Sequence, residues 1–292
     1  MFKEYSQAKA VLVEQMLDQL IPSAGVQPPI IFEAMRYSLF AGGKRLRPVL
    51  LMASADAVGG DGTKFLHVAA GLEMIHTHSL IHDDLPAMDD DDYRRGKLTN
   101  HKVYGEGMAI LAGDGLLTAA FSAIFKQPDV SAATLLSVAQ EVASAAGAYG
   151  MVGGQAVDLI SEGTAIDAST LTFMHQKKTG ALFRGAVRAG AILAGADDQQ
   201  LASLTRYAEQ FGLAFQITDD ILDVIGIQEK IGKPVGSDEK NQKATYVSLY
   251  SLQQAKKMAQ TAIDEARTAL NGFGTPAVVL RELAESLLLR DH

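Results

Sequence analysis

The sequence predicts an all-α fold, and three observations carry that expectation. Apolar residues recur mainly at the spacing of one helix face. Alternating β-branched runs bounded by tight turns, the mark of strands, are nearly absent. No internal repeat, low-complexity tail or Pro/Ser-rich linker divides the 292 residues, so a single domain over 1–292 is expected. With 48% hydrophobic and 21% charged residues, the chain can build a sizeable core.

The elements follow in order. Val11, Leu12, Met16, Leu17 and Leu20 make one face of a first helix, which Pro22 stops. Acids inside that pattern make it an amphipathic helix and not a signal peptide. Leu66, Ala69, Ala70, Glu73, Met74 and Thr77 mark a second helix. It should end near Asp84, because Pro86 cannot sit in a helix interior without breaking a bond. Segments 107–126, 131–152, 169–194, 198–225, 251–270 and 276–289 also read as helical, and 244–250 as a helix start or loop. Gly113, Gly115, Gly147, Gly150, Gly153 and Gly154 fall inside helical segments, where each glycine costs up to about 1 kcal/mol. Close helix–helix approach, or room beside a ligand, is the expected return.

Composition narrows the function. There is no cysteine, so disulfides and thiolate metal sites are excluded. A net charge of −8 without a long basic stripe argues against a nucleic-acid partner. The longest uncharged window, 142–157, is short of the roughly 20 residues a membrane span needs. A cytoplasmic protein with no integral membrane segment is expected.

The chemistry concentrates in HDDLPAMDDDDYRRG (82–96), where Asp83, Asp84 and Asp89–Asp92 crowd together. Asp83 and Asp84 fall at a helix C-terminus, where the macrodipole already disfavours acids. Two carboxylates about 5 Å apart repel by roughly 3 kcal/mol at an effective dielectric of 20. A hard divalent cation offsets such repulsion, and Mg²⁺ is held by one or two carboxylates plus phosphate oxygens. A solvated acidic loop is the bland alternative. A calcium loop lacks its alternating ligand ladder.

A second cluster lowers the weight of the bland reading. In FQITDDILD (215–223), Asp219 and Asp223 lie at i and i+4 on one face of an apolar helix and need a counter-charge. Basic residues complete the set: Lys44, Arg45 and Arg47 in GGKRLRP, Arg94 and Arg95, Lys177 and Lys178 in HQKKTGALF, then Lys233 and Lys243. Arginine forks match phosphate oxygens in pairs and lysine adds a point charge. Acids for a cation and bases for phosphate together suggest a diphosphate ligand.

These motifs resemble those of trans-isoprenyl diphosphate synthases. DDLPAMD (83–89) is similar to the first aspartate-rich motif of that family and DDILD (219–223) to the second. GGKRLRP, MIHTHSLIHDD, YRRGKLTNH, AILAGDGLL, GGQAVDL, HQKKTGALF and the spaced GK…D…K of 232–243 follow in the expected order. The resemblance spans roughly residues 30–250. It implies long, mostly antiparallel helices around a deep central cavity, usually in a homodimer, and prenyl transfer onto isopentenyl diphosphate. It implies three Mg²⁺, held by Asp83, Asp84, Asp89, Asp219 and Asp223. Arg94, Lys178, Lys233 and Lys243 would grip the allylic diphosphate. Lys44, Arg47, His76 and Arg95 would hold isopentenyl diphosphate. Thr179 and Gln216 would aim oxygens at the reacting carbon. Asp90–Asp92 would form a solvated rim.

Product length is expected to depend on His78 and Ser79, upstream of Asp83. His78 lies five residues before it, about 7.5 Å along the axis. In farnesyl-forming relatives an aromatic residue near this position blocks growth, and here the smaller His78 takes its place; a farnesyl (C15) product is expected, with geranylgeranyl (C20) second. His67, His101 and His175 read as structural. Gln155 and Asp158 either line the cavity near Lys178 or form a core polar pair, and Arg290 could sit on a covering C-terminal flap. Three alternatives compete: a terpene cyclase, an HD-type phosphohydrolase, and a non-catalytic subunit of a heteromeric synthase. None of them explains both intact aspartate motifs and the basic set.

Overall fold

A computed structural model describes residues 1–23, 25–226 and 244–289. Lys233, Lys243 and Arg290 lie outside the described residues. Helix α1 spans Phe2–Leu20, and Val13 and Leu17 form its buried line. Val11 is 52% exposed, contrary to expectation. The run AVLV (10–13) is apolar throughout, so periodicity could not choose which valine faces inward. Helix α2 (Pro29–Leu39) starts on proline, whose fixed φ suits a first helical position.

Helices α3 (Leu46–Val58) and α4 (Leu66–Asp83) are buried on nearly every face, as central helices must be. α3 packs on α10 (Ala181–Leu193) at Gly190, where a Cβ would overlap the Leu51 carbonyl. After α4 come a two-residue hairpin (Tyr93–Arg94 against Lys97–Leu98), α5 (Asn100–Tyr104) and α6 (Glu106–Phe125). Helix α6 has the length and composition to cross a membrane; one side of it packs along α4 and α2, and the other faces outward.

The expected helix over 131–152 is two helices, α7 (Ala132–Ala146) and α8 (Met151–Ser161). Gly147 takes an extended conformation after α7 and breaks the run. The expected 169–194 helix divides into α9 (Ala168–His175) and α10, joined by a π-helical turn at Gln176–Gly180. Helix α11 (Asp198–Ile225) opens on a reciprocal capping box between Asp197 and Gln200. The short α12 (Tyr246–Tyr250), α13 (Leu252–Ala269) and α14 (Val278–Ser286) complete the described chain.

One apolar cluster joins residues of α1, α2, α4, α6, α7 and α10, and a second joins α3, α10, α11, α13 and α14. A smaller one, with Leu171, Ile217, Ile221 and Tyr246, supports the region below the second aspartate motif. The loop before α3 is anchored by a buried ion pair. Arg45 Nη1 donates to Glu73 Oε1 at 2.9 Å, and both side chains are no more than 1% exposed. Arg45 also donates to the Leu39 carbonyl at 2.8 Å. Removing one partner strands the other charge in a dry place, at a cost of about 3–5 kcal/mol. Glu73→Ala should lower unfolding free energy by that amount in chemical denaturation.

Candidate active site

Helix α4 ends at Asp83 with Asp84 as its cap, where Pro86 required it to end. The following turn folds back: the Met88 and Asp90 amides donate to the Leu85 carbonyl, and the Asp89 amide donates to the Asp83 carbonyl at 2.9 Å. The turn thus returns the Asp89 carboxylate to the helix end. Asp83 and Asp89 line a cavity of about 240 Å³ that is also lined by Asp219, Gln216, Lys178 and Thr179. Two acidic motifs far apart in the chain therefore face one compartment.

The π-helical turn carries Lys178 and Thr179, and such turns recur at functional sites. Gly154 lets α8 press against it, because a Cβ there would overlap the Lys178 backbone. From α8, Asp158 accepts from Lys178 Nζ at 2.6 Å, and Gln155 Nε2 donates to Asp83. Gln155 and Asp158 thus tie the π turn and α8 to the end of α4.

Asp84 and Asp223 do not line this cavity. Asp84 is buried and accepts from Arg94 Nε at 2.7 Å, while Arg94 Nη2 reaches Asp91 at 3.0 Å. Asp91 lines the cavity, so it departs from the solvated-rim expectation. Asp92 instead pairs outward with Lys102 at 2.6 Å. Asp220 is buried and accepts from the Tyr246 amide at 2.7 Å, which pins α12 to α11.

Arg95 and Gly96 both adopt positive φ at the hairpin tip, which turns neighbouring arginines to different sites. Arg94 serves the aspartates, whereas Arg95 donates to the Gly42 carbonyl. Gly43 has no Cβ to overlap that guanidinium. Arg47 lies 4.7 Å over the Phe183 ring. Arg47 Nε and His76 Nδ1 are buried without a hydrogen-bond partner. Burial drives the Arg47 pKa down to about 10, with Glu73 opposing and Arg95 adding to the fall. The His76 imidazole is held well below its usual range by burial and by four arginines. Concentrated positive charge with unused donors is what an anion would satisfy. Lys44 sits exposed on the same loop.

His78 is buried against α6, edge-on to His82 with centroids 4.6 Å apart, and Ser79 Oγ donates back to the His76 carbonyl. Burial first, then His82, lowers the His78 pKa to about 4, so the ring is neutral. His175, expected to be structural, lines the cavity with Nδ1 unpartnered. The one available signal was its place one turn before Lys178.

The acids carry the electrostatic cost. Burial raises the Asp83 pKa, Lys178 opposes it and Asp89 adds to it. Burial pushes the Asp84 carboxyl up to about 6 against the pull of Arg94. Lys178 is disfavoured by its own burial, but Asp83 and Asp158 outweigh that and raise its pKa.

Comparison with known proteins adds a separate line of evidence. The family described as polyprenyl synthetase matches residues 28–273. A dimethylallyltranstransferase of Fischerella ambigua is 50% identical over 291 residues, covering 99% of this chain and 84% of the relative. A farnesyl diphosphate synthase of Geobacillus stearothermophilus is 50% identical, covering 91% and 90% respectively. The crystal structure of a geranylgeranyl pyrophosphate synthetase from Pyrococcus horikoshii superposes with a TM-score of 0.91 at 31% identity, covering 99% of this chain and 98% of that one.

The Asp84 shift makes a pH prediction for chelator-treated protein. Folded Asp84 keeps a proton up to about pH 6 that the unfolded chain releases near 4, so this group favours folding below that window. Its contribution is lost as pH rises through the window, at roughly 1.4 kcal/mol for each pKa unit. Asp84→Asn should flatten this part of the stability profile, measured by denaturation between pH 4 and 7.

Proposed function

The chain belongs to the polyprenyl synthetase family, and we propose that it is a Mg²⁺-dependent prenyltransferase joining isopentenyl diphosphate head to tail with dimethylallyl or geranyl diphosphate. The products are farnesyl diphosphate and diphosphate. The observation that carries this reading is the single cavity onto which Asp83, Asp89 and Asp219 open beside Lys178, Thr179 and Gln216. The proposal takes residues 1–292 as one cytoplasmic domain.

The donor set fits a hard divalent ion, since it offers carboxylate oxygens from facing walls. Asp83, Asp84 and Asp89 would hold two Mg²⁺, and Asp219 with Asp223 a third. Mg²⁺ there supplies Lewis-acid charge that makes diphosphate a good leaving group. Asp84 would join by exchanging its bond to Arg94, which frees the guanidinium for the allylic diphosphate. Lys178 sits within the acid cluster as a fixed cation and would grip the same anion. Lys233 and Lys243 are proposed for that role from sequence alone.

Arg47, His76, Arg95 and Lys44 would hold isopentenyl diphosphate, and the unused Arg47 Nε donor beside the unpartnered His76 ring nitrogen supports this. When the allylic C–O bond breaks, Thr179 and Gln216 oxygens face the carbocation as dipoles already in place. The double bond of isopentenyl diphosphate then forms the new C–C bond at C1. The departing diphosphate takes the proton that is lost. The cavity wall of Ile166 and Met174 helps to keep water from the cation.

A geranylgeranyl product is the second reading, favoured by the modest size of His78 beneath Asp83. We further propose a homodimer formed through α6. Its outward face carries Ile110 and Leu111, 44% and 56% exposed, and ends in Phe125 at 58%. Large apolar side chains left facing water on one helix, here at both ends of a face that also shows Asp114, Thr118 and Ser122, mark an interaction surface.

Four measurements test these proposals. Purified protein with Mg²⁺, isopentenyl diphosphate and geranyl diphosphate should release diphosphate and form a C15 product. No product from either allylic partner would remove the synthase reading. Asp83→Ala should slow turnover by about a thousandfold, equivalent to roughly 4 kcal/mol of barrier. His78→Ala should lengthen the product on chromatography, and an unchanged product places the floor elsewhere. Leu111→Glu should convert dimer to monomer in light scattering, and a wild-type monomer ends the dimer proposal.

A further inference from the structure

Beneath the diphosphate site, where α4 crosses α6, lies a side-chain group that the proposed reaction does not use as a ligand set. His78 and His82 stand at i and i+4 on α4, the spacing by which two helical imidazoles share one metal ion. Gly113 of α6 has no Cβ to overlap the His82 ring, so the two helices approach closely. That approach delivers Asp114, whose Oδ1 lies 3.9 Å from His82 Nε2. One donor atom from each of the three residues lies within 4.8 Å of the other two. Donors on a metal with bonds of about 2.0–2.2 Å stand roughly 3–4 Å apart. The Asp114 side chain is 59% exposed and has room to close the difference.

A second observation points the same way. His78 is only 9% exposed, and its Nδ1 is buried with no hydrogen-bond partner. A buried polar atom left unpaired costs about 1–3 kcal/mol, and coordination would relieve that cost. Coordination through His82 Nε2 would replace its 3.1 Å contact with the Ile110 carbonyl, because a nitrogen that donates its proton there has no lone pair for a metal.

We propose that His78, His82 and Asp114 form a cation site distinct from the aspartate cavity, taking a borderline divalent ion such as Zn²⁺ or Co²⁺ and clamping α4 to α6. Two imidazoles and one carboxylate suit such ions, whereas Mg²⁺ prefers oxygen donors throughout. The remaining coordination positions are open to water or to a donor from a second copy across the α6 face. The chemistry thus separates two sides of the end of α4: oxygen donors toward the aspartate cavity, and nitrogen donors from His82 and, one turn below it, His78 toward α6.

Zn²⁺ titration by calorimetry, with Mg²⁺ in excess, tests this on the full chain. The Asp83→Asn/Asp219→Asn double variant removes cavity carboxylates that would also take Zn²⁺. It should still bind one equivalent. That equivalent should weaken at least tenfold when Asp114→Asn, an exposed and conservative change, is added to the double variant, and also when His78→Gln is added. Imidazole ¹⁵N resonances of His78 and His82 should shift on Zn²⁺ addition and stay fixed on Mg²⁺ addition. Loss of all Zn²⁺ binding in the double variant, or unchanged binding with Asp114→Asn, overturns the proposal. The outcome is independent of prenyl transfer, because no substrate is present.

Discussion

Repulsion between facing carboxylates is the constraint on which the rest of this structure depends. Asp83, Asp89, Asp91, Asp158 and Asp219 open onto one cavity, in a place where two of them at close range cost several kcal/mol. The fold answers with protein groups already in position: Lys178 on Asp158, Gln155 on Asp83, and Arg94 between Asp84 and Asp91. Burial is the main reason that Asp83 and Asp84 have raised pKa values, and the neighbouring carboxylates add to the rise, so some cost remains. That residual cost is what a bound cation and its anion would relieve.

Several distant features exist to hold that arrangement. The π-helical turn moves Lys178 and Thr179 onto the cavity wall, and Gly154 permits α8 to brace it backbone to backbone. Asp220, the neighbour of Asp219, also lines the cavity, and it accepts a hydrogen bond from the Tyr246 amide. Adjacent residues on one helix therefore divide the work, with Asp220 also fastening α12. The same division separates Arg94 from Arg95 across the hairpin tip.

Much of this was legible in the sequence, because local rules governed it. Pro86 fixed the end of α4 and helical periodicity gave the fold class, whereas of the i, i+4 pair on α11 only Asp219 lines the cavity. What was not legible came from tertiary contact. Nothing in HQKKTGALF announces a π turn, since its extra residue is stabilised by α8 and α11 packed against it. Asp91 looked like one more rim acid, because its partnership depends on how the hairpin returns Arg94. The break between α7 and α8 was hinted at by Gly147 and Gly150, but alanine-rich flanks masked it.

The partners of the acids also explain how one site can be stable when empty and ready when filled. A cavity of unpaired carboxylates would have to reorganise on binding, and that reorganisation would be charged against affinity. Here each internal partner is a group that a Mg²⁺–diphosphate ligand can also use. Arg94 and Lys178 are donors to carboxylates now and can be donors to phosphate oxygens after exchange, with their charges unchanged. Gln155 has a buried Oε1 without a partner, so its amide holds Asp83 by one end only. Exchange of partners, with the scaffold fixed by Gly154 and Asp220, requires side-chain movement alone. The acidic crowd is therefore not a defect that the fold tolerates: it holds carboxylates and cations in register, in bonds that the proposed Mg²⁺–diphosphate ligand would replace.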